Sequence, residues 1–206
     1  KKKSLISFVG SPWTLLVYML SLKNKKGKIN IKLLNIKNNQ IKKIMDNLNK
    51  FLCIHIKNQF NAGADVVQIF DSWAGKLPNN KLKQFCFKPN KRIVDFCKKH
   101  KFPTICFPKG INKNYLNFNN YVKPNCLNLD YDLNPTWAKK NLKNVVLQGG
   151  MNPKTLLKSD KFIFREAKKY LDVFENVPYI FNLGHGVIPE TSPKKIEKLI
   201  KFVRNY

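Results

Sequence analysis

Residues 65–75 read Asp65-Val66-Val67-Gln68-Ile69-Phe70-Asp71-Ser72-Trp73-Ala74-Gly75. A short apolar run of strand length ends in a cluster of polar, aromatic and glycine residues. A run that is apolar at nearly every position, rather than at alternate ones, suits a strand buried on both faces. The same rhythm recurs at Leu5–Val9, Pro103–Phe107, Cys126–Leu129, Val145–Leu147 and Tyr179–Leu183, each followed by turn residues and a helical pattern. Ile41, Ile44, Met45, Leu48 and Leu52 recur at helical spacing, which predicts a helix over Asn38–Gln59. The last helix has Ser192 as its cap and Pro193 at its first position. Ile196, Leu199, Ile200 and Val203 give it one apolar face.

Strand and helix in alternation predict a parallel sheet covered by helices. The six units fit either a doubly wound sheet or part of a (β/α)8 barrel. No GxGxxG and no GxxxxGK[ST] follows any run, which removes the common dinucleotide and nucleotide-triphosphate sites. No Pro/Ser-rich linker interrupts residues 1–206, so a single domain is expected. The Asn- and Lys-rich stretches Lys23–Lys32 and Asn112–Asn120 are expected as loops or solvated helix ends.

The chain has 206 residues, 43% hydrophobic and 25% charged, a balance that excludes a disordered tail and a multispan membrane protein. Its net charge of +27 raises nucleic acid as a partner. The composition of that charge argues otherwise. Only Arg92, Arg165 and Arg204 are arginines, so 36 of the 39 basic residues are lysine, and asparagine numbers 26. AT-rich codons specify Lys and Asn, whereas Arg is the better reader of phosphates and bases. No specific nucleic-acid partner is expected.

Cys53, Cys86, Cys97, Cys106 and Cys126 are an odd set without a CxxC pair. They predict reduced thiols in a cytoplasmic protein, neither a disulfide framework nor a zinc ribbon. Lys1–Lys3 and the uncharged stretch Ser4–Leu22 imitate a signal peptide or a membrane span. Gly10-Ser11-Pro12 breaks that stretch, serines and a threonine lower its hydrophobicity, and Lys23-Asn24-Lys25-Lys26 follows in place of a cleavage site. No membrane role is expected. The first residue is not Met, so it need not be the start of the protein.

In both candidate architectures ligands bind beyond the C-terminal ends of the strands. The residues there are Gly10-Ser11-Pro12-Trp13-Thr14 with Tyr18, Asp71-Ser72-Trp73-Ala74-Gly75, Pro108-Lys109-Gly110, Asp130-Tyr131-Asp132, Gln148-Gly149-Gly150-Met151-Asn152-Pro153 and Gly184-His185-Gly186. Each has a plain structural reading: Ser72 as a helix cap, Asp130 as a loop anchor, Tyr18 as packing. Their recurrence at one position in six successive units points to a site. His185 lies between two glycines just past a strand, placing an imidazole at the rim of that site. His55 and His100 fall in Lys-rich helical surroundings.

Taken together, the segments resemble the uroporphyrinogen decarboxylase family of tetrapyrrole (haem) biosynthesis. The resemblance rests on Gly10-Ser11-Pro12-Trp13-Thr14 with Tyr18-Met19, on Ala62-Gly63-Ala64-Asp65 leading into Gln68–Gly75, and on Phe107-Pro108-Lys109-Gly110. It continues through Leu129-Asp130-Tyr131, Leu147-Gln148-Gly149 with Asn152-Pro153, and Phe181-Asn182-Leu183-Gly184-His185-Gly186 with Ile188-Pro189-Glu190-Thr191. It implies a (β/α)8 TIM barrel, incomplete here, whose third to eighth units are present, and a homodimer that needs no metal or organic cofactor. The implied reaction decarboxylates the four acetates of uroporphyrinogen III to give coproporphyrinogen III. The implied substrate-binding residues are Tyr18, Ser72 and His185.

The family's Arg-rich glycine loop and its aspartate facing the pyrrole NH groups have no counterpart here. No catalytic residue is therefore expected within this chain. Gly150 and Asn152 stand where the family usually has Asn and Asp. Cobalamin-dependent methyltransferases share the fold, but their zinc site needs a His-x-Cys pair that none of the three histidines provides. The competing expectations are an inactive or split fragment of the enzyme, and a basic nucleic-acid-binding protein. Six strands of an eight-stranded barrel would expose sheet edges and fold poorly alone.

Overall fold

The first apolar run forms its strand one residue later than its hydrophobicity predicts. Strand β1 (Ile6–Gly10) passes through Ser11 into helix α1 (Pro12–Met19). In the computed structural model, which describes residues 3–24, 28–30 and 38–206, the chain divides into two compact units, Lys1–Asn125 and Cys126–Tyr206.

In the first unit α2 (Asn38–Asn61) and β2 (Val66–Asp71) follow. Then come a 3-10 turn at Ala74–Lys76, α3 (Asn79–Leu82), a π-helical turn at Lys83–Phe87 and α4 (Lys88–Lys99). Strand β3 (Thr104–Pro108) and α5 (Tyr115–Val122) complete the unit. The strands lie in chain order β1-β2-β3 and are parallel, with Ile6 opposite Val66 and Val67 opposite Thr104. Parallel strands require a crossover between them, and the helices supply it. The π turn has a local cause. Pro89 has no N–H for the carbonyl four residues back, and its ring crowds that carbonyl, so the ladder widens just before it.

Strand β3 is buried at all five positions, as its apolar run predicts. Trp13, Leu16, Ile56, Ile69, Ile93, Ile105, Tyr115 and Phe118 are fully buried around the sheet. Strand β1 differs. The Leu5 carbonyl accepts from Asp65 and Val66, and the Ser11 N–H donates to Phe70, so alternate residues from Leu5 to Ser11 face β2. The main-chain groups of Ile6, Phe8 and Gly10 therefore point to the outer edge. Among the described residues no strand pairs there; instead Gln59 Nε2 donates to the Phe8 carbonyl at 3.1 Å. The Phe8 side chain is 67% exposed. The expected open sheet edge is thus present at β1.

The second unit runs β4 (Cys126–Leu129), α6 (Pro135–Asn141), β5 (Val146–Gly149), a 3-10 turn at Pro153–Leu157, α7 (Asp160–Phe174), β6 (Tyr179–Ile180) and α8 (Pro193–Arg204). Its strands lie in the order β4-β5-β6, again parallel, with Cys126 opposite Val146 and Leu147 opposite Tyr179. The run Tyr179–Leu183 yields only a two-residue strand. Its neighbour explains this: Gly149 and Gly150 have φ of +80° and +109°, which ends the extended ladder, and pairing resumes as a single bridge between Met151 and Leu183.

Three sequence expectations change locally. Asn112–Asn120 is not a solvated loop: it forms a 3-10 turn and most of α5, with Tyr115, Phe118 and Asn119 buried. The polar run hides apolar residues three apart, which is enough for one buried helical stripe. Of Lys23–Lys32, residues 25–27 and 31–32 lie outside the described residues, and Lys23 and Ile29 form an antiparallel bridge. Ser192 stands at the cap of α8, but its hydroxyl makes no capping bond. Only Leu199 of the expected apolar face is buried, and α8 meets α7 through Phe202 stacked on Phe164 at 4.8 Å. No helix among the described residues is long and apolar enough to cross a membrane.

Candidate active site

The first unit presents Tyr18 and Ser72. Ser11, extended at φ −65° and ψ 159°, caps α1 by accepting from the Thr14 N–H at 3.3 Å, and Pro12 takes the first helical position. Helix α1 then buries Trp13 and leaves Tyr18, near its end, 59% exposed. The Trp13 Nε1 donates to the Trp73 carbonyl at 3.0 Å, tying the start of α1 to the turn after β2. The Tyr18 ring meets the Trp73 ring edge-on at 6.2 Å, and the Lys23 ammonium lies 5.1 Å from the Trp73 ring centre. Ser72 does not cap the short helix that follows; Trp73 stands at that position. The structure therefore brings the Tyr18-bearing helix to the turn that holds Ser72.

Beneath this turn lies a buried polar cluster centred on Asp71, the last residue of β2. Thr14 Oγ1 donates to Asp71 Oδ1 at 3.0 Å, and Asn90 Nδ2 donates to Asp71 Oδ2 at 3.0 Å. The same Asn90 Nδ2 also donates to the Cys86 carbonyl at 2.9 Å. Burial raises the Asp71 carboxyl above its ordinary range, against the pull of side-chain hydrogen bonds from Ser11, Cys86, Thr14 and Asn90. Burial, with the Asp71 charge beside it, drives the Cys86 thiol well above its ordinary value. Neither Asp71 nor Asn90 is singled out by the sequence reading. Asp71 leaves one signal: a carboxylate closing an apolar run has to find donors.

A glycine contact fixes the next loop. The Gly75 N–H donates to the Lys109 carbonyl at 2.8 Å, and a β-carbon at Gly75 would collide with the Gly110 carbonyl. Gly110 has φ +78°, a conformation suited to glycine.

The second unit presents His185. The buried amides of Gln148 and Asn128 meet across β5 and β4, Gln148 Nε2 donating to Asn128 Oδ1 at 2.7 Å. Tyr179 Oη donates to the Gly149 carbonyl at 2.9 Å, and Tyr170 Oη to the Gly150 carbonyl at 2.7 Å. A β-carbon at Gly150 would come within 2.8 Å of the Tyr170 ring, so glycine at this departure from the family pattern fits its setting. Asp130, fully buried, anchors its own loop by accepting from the Asp132 N–H at 3.1 Å. The Gly184 N–H donates to the Met151 carbonyl at 2.8 Å, and the next residue, His185, is exposed. Its Nδ1 accepts from the Gly186 N–H at 2.6 Å. A neutral imidazole accepting at Nδ1 carries its proton on Nε2, which makes Nε2 the ring's donor.

Both units thus carry polar residues on the loops beyond the C-terminal ends of parallel strands, where enzymes of the (β/α)-barrel kind place their sites. In the first unit the hydroxyls of Tyr18 and Ser72, and in the second the imidazole of His185, are each groups that can donate to a carboxylate. No group of three or more metal-ligating side chains gathers among the described residues. The uroporphyrinogen decarboxylase family model matches residues 1–206, and the chain belongs to that family.

It is 43% identical to the uroporphyrinogen decarboxylase of Orientia tsutsugamushi (strain Boryong), over 100% of this chain and 61% of that protein. It is 38% identical to the enzyme of that name from Rickettsia bellii, over 100% of this chain and 62% of that protein. The chain therefore spans about three fifths of the length of the curated relatives it matches. Among solved structures, a methyltransferase from Methanosarcina mazei superposes with a TM-score of 0.83 at 18% identity, over 100% of this chain and 59% of that one. That likeness supports the α/β barrel-type fold and nothing about chemistry.

Proposed function

We propose that this chain is the C-terminal part of a cytoplasmic, homodimeric uroporphyrinogen decarboxylase that converts uroporphyrinogen III to coproporphyrinogen III. The observation that carries the reading is the packing of Tyr18, near the end of α1, against Trp73, which directly follows Ser72 in the turn after β2. The hydroxyls of Tyr18 and Ser72 donate to substrate carboxylates, and His185 Nε2 donates to another. In each of four rounds a pyrrole ring is protonated, and the carbon–carbon bond to an acetate carboxylate breaks. The electron pair moves into the cationic ring, CO2 leaves, the exposed side-chain carbon takes up a proton to become a methyl group, and the ring gives back the proton it first gained, so each round consumes one proton. The charge developing on the ring requires a fixed counter-charge. Family resemblance puts that role on an aspartate outside these residues.

The test is coproporphyrinogen formation from uroporphyrinogen III. It is measured with this chain alone and with the chain completed by the N-terminal segment of the Orientia relative. The completed protein should turn over and the chain alone should not. His185→Ala in the completed protein should fold and lose roughly five- to a hundredfold in turnover, the equivalent of one carboxylate donor. Turnover by the chain alone, or full activity of His185→Ala, contradicts these assignments.

A further inference from the structure

The carboxyl of Asp71 is fully buried, and beside the hydrogen bonds from Ser11 and Cys86 it accepts two that tie it to the elements around the candidate site. It accepts from Thr14 in the first turn of α1, four residues before Tyr18 on the same helix. It accepts from Asn90 of α4, which is itself tied to the Cys86 carbonyl of the π turn. It is directly followed by Ser72 and Trp73, and Trp73 receives both the Trp13 indole bond and the Tyr18 ring. One carboxylate oxygen takes the Thr14 hydroxyl and the other the Asn90 amide, which holds these two donors at a set separation. Here the donors come from the helices on either side of β2.

We propose that Asp71 is a positioning residue, fixing the Tyr18-bearing helix against the Ser72–Trp73 turn through its paired bonds to Thr14 and Asn90. The functional consequence rests on Tyr18 and Ser72 being substrate donors; the positioning itself does not. An amide at this position could keep both bonds, because the Thr14 hydroxyl can accept as well as donate. Alanine removes both acceptor oxygens, so neither Thr14 nor Asn90 keeps its bond and α1 is free to shift on the turn. Donors in a site lose effect steeply with displacement; a misplacement of about 1 Å costs up to ~100-fold.

The experiment labels the protein with 5-fluorotryptophan and follows the fluorine resonances of Trp13, Trp73 and Trp137, assigned by single Trp→Phe replacements. In Asp71→Ala the Trp73 resonance should move while that of Trp137, in the second unit, keeps its place. An unmoved Trp73 resonance overturns the proposal. If Asp71→Ala does not fold, Thr14→Val removes the Thr14 bond alone, and the same criterion applies to it.

A kinetic cycle in the completed enzyme then separates positioning from general damage. Asp71→Ala should lower kcat/KM roughly ten- to a hundredfold, and should add nothing further in a Tyr18→Phe background. Losses that multiply in the double variant overturn the link to Tyr18. Absence of turnover in the unmutated completed protein would remove the decarboxylase reading, and the fluorine resonances would still decide the position of α1.

Discussion

Gly184 stands so close to the Asp130–Tyr131 peptide that a β-carbon on it would lie 2.9 Å from the Asp130 carbonyl carbon and 3.0 Å from Tyr131 Cα. The obstacle is backbone, which cannot swing aside. Gly186, two residues on, has nothing within 4 Å of the same position. The two glycines beside His185 therefore differ in kind. Gly184→Ala should cost about 1–3 kcal/mol, the ordinary penalty of overpacking. Gly186→Ala should stay within about 0.5 kcal/mol, as for a surface change. Urea unfolding of both variants compares them directly, and equal midpoints would contradict the close approach.

Tyr170 supplies a pH-dependent term. Burial, aided by the charges of Glu166 and Asp130, pushes its phenol up from 10.0 to about 12. A group raised on folding stays neutral in the native chain while the unfolded chain already ionises. Its stabilising term is complete below pH 10 and is lost as pH rises through about 12. Tyr170→Phe removes the bond to Gly150, so at neutral pH it should cost about 1 kcal/mol. The stability gap between wild type and variant should narrow from pH 10 upward. The phenolate absorbance of the native protein should lose its late step in the variant. A gap that widens with pH would reverse the sign argued here.

The cysteines make a counting experiment. Cys86, Cys97, Cys106 and Cys126 are buried, and Cys53 on α2 is half-buried. Burial pushes the Cys97 and Cys126 thiols up to about 12, so little thiolate is present at neutral pH. Ellman's reagent should label one thiol per native chain, slowly because burial raises Cys53 as well, and five after denaturation. Rapid labelling of more than one native thiol would mean that the packing around at least one of the buried cysteines opens readily.

Which features were legible from the residues follows from the range of the interactions that make them. Strand β3 is readable because all five of its positions are buried and four of them, Ile105 to Pro108, are apolar, a purely local signature. So is α2, with Ile41, Met45 and Leu52 buried on one stripe. Strand β6 is shorter than its own apolar run because its length depends on Gly149, which ends β5, and Gly150 just beyond it, whose positive φ values end the pairing. At the site, Ser72 stood out by its place after an apolar run, and its helix-cap reading fell because Trp73 takes the capping position. Asp71 did not stand out, since its donors Thr14 and Asn90 lie 57 residues before it and 19 after it. Only the parallel register brings those three together.

The charge of +27 yields the last prediction. Arginine is the residue that reads bases bidentately, and the chain has three. Arg92 on α4 is paired with Asp46 on α2. Arg165 on α7 lies beside Glu166 and over the Phe162 ring at 4.7 Å. Both guanidinium groups already have local partners, so the excess charge is carried by lysines, which act on phosphates as point charges. Binding to DNA or RNA should therefore be weak and indifferent to sequence, falling steeply as salt displaces the counterion gain. Fluorescence anisotropy on unrelated duplexes and single strands at low and physiological salt measures this. All should bind alike at low salt and release together as salt rises. A sub-micromolar, sequence-selective affinity at physiological salt would show that the lysines form a built nucleic-acid surface rather than a solvated coat.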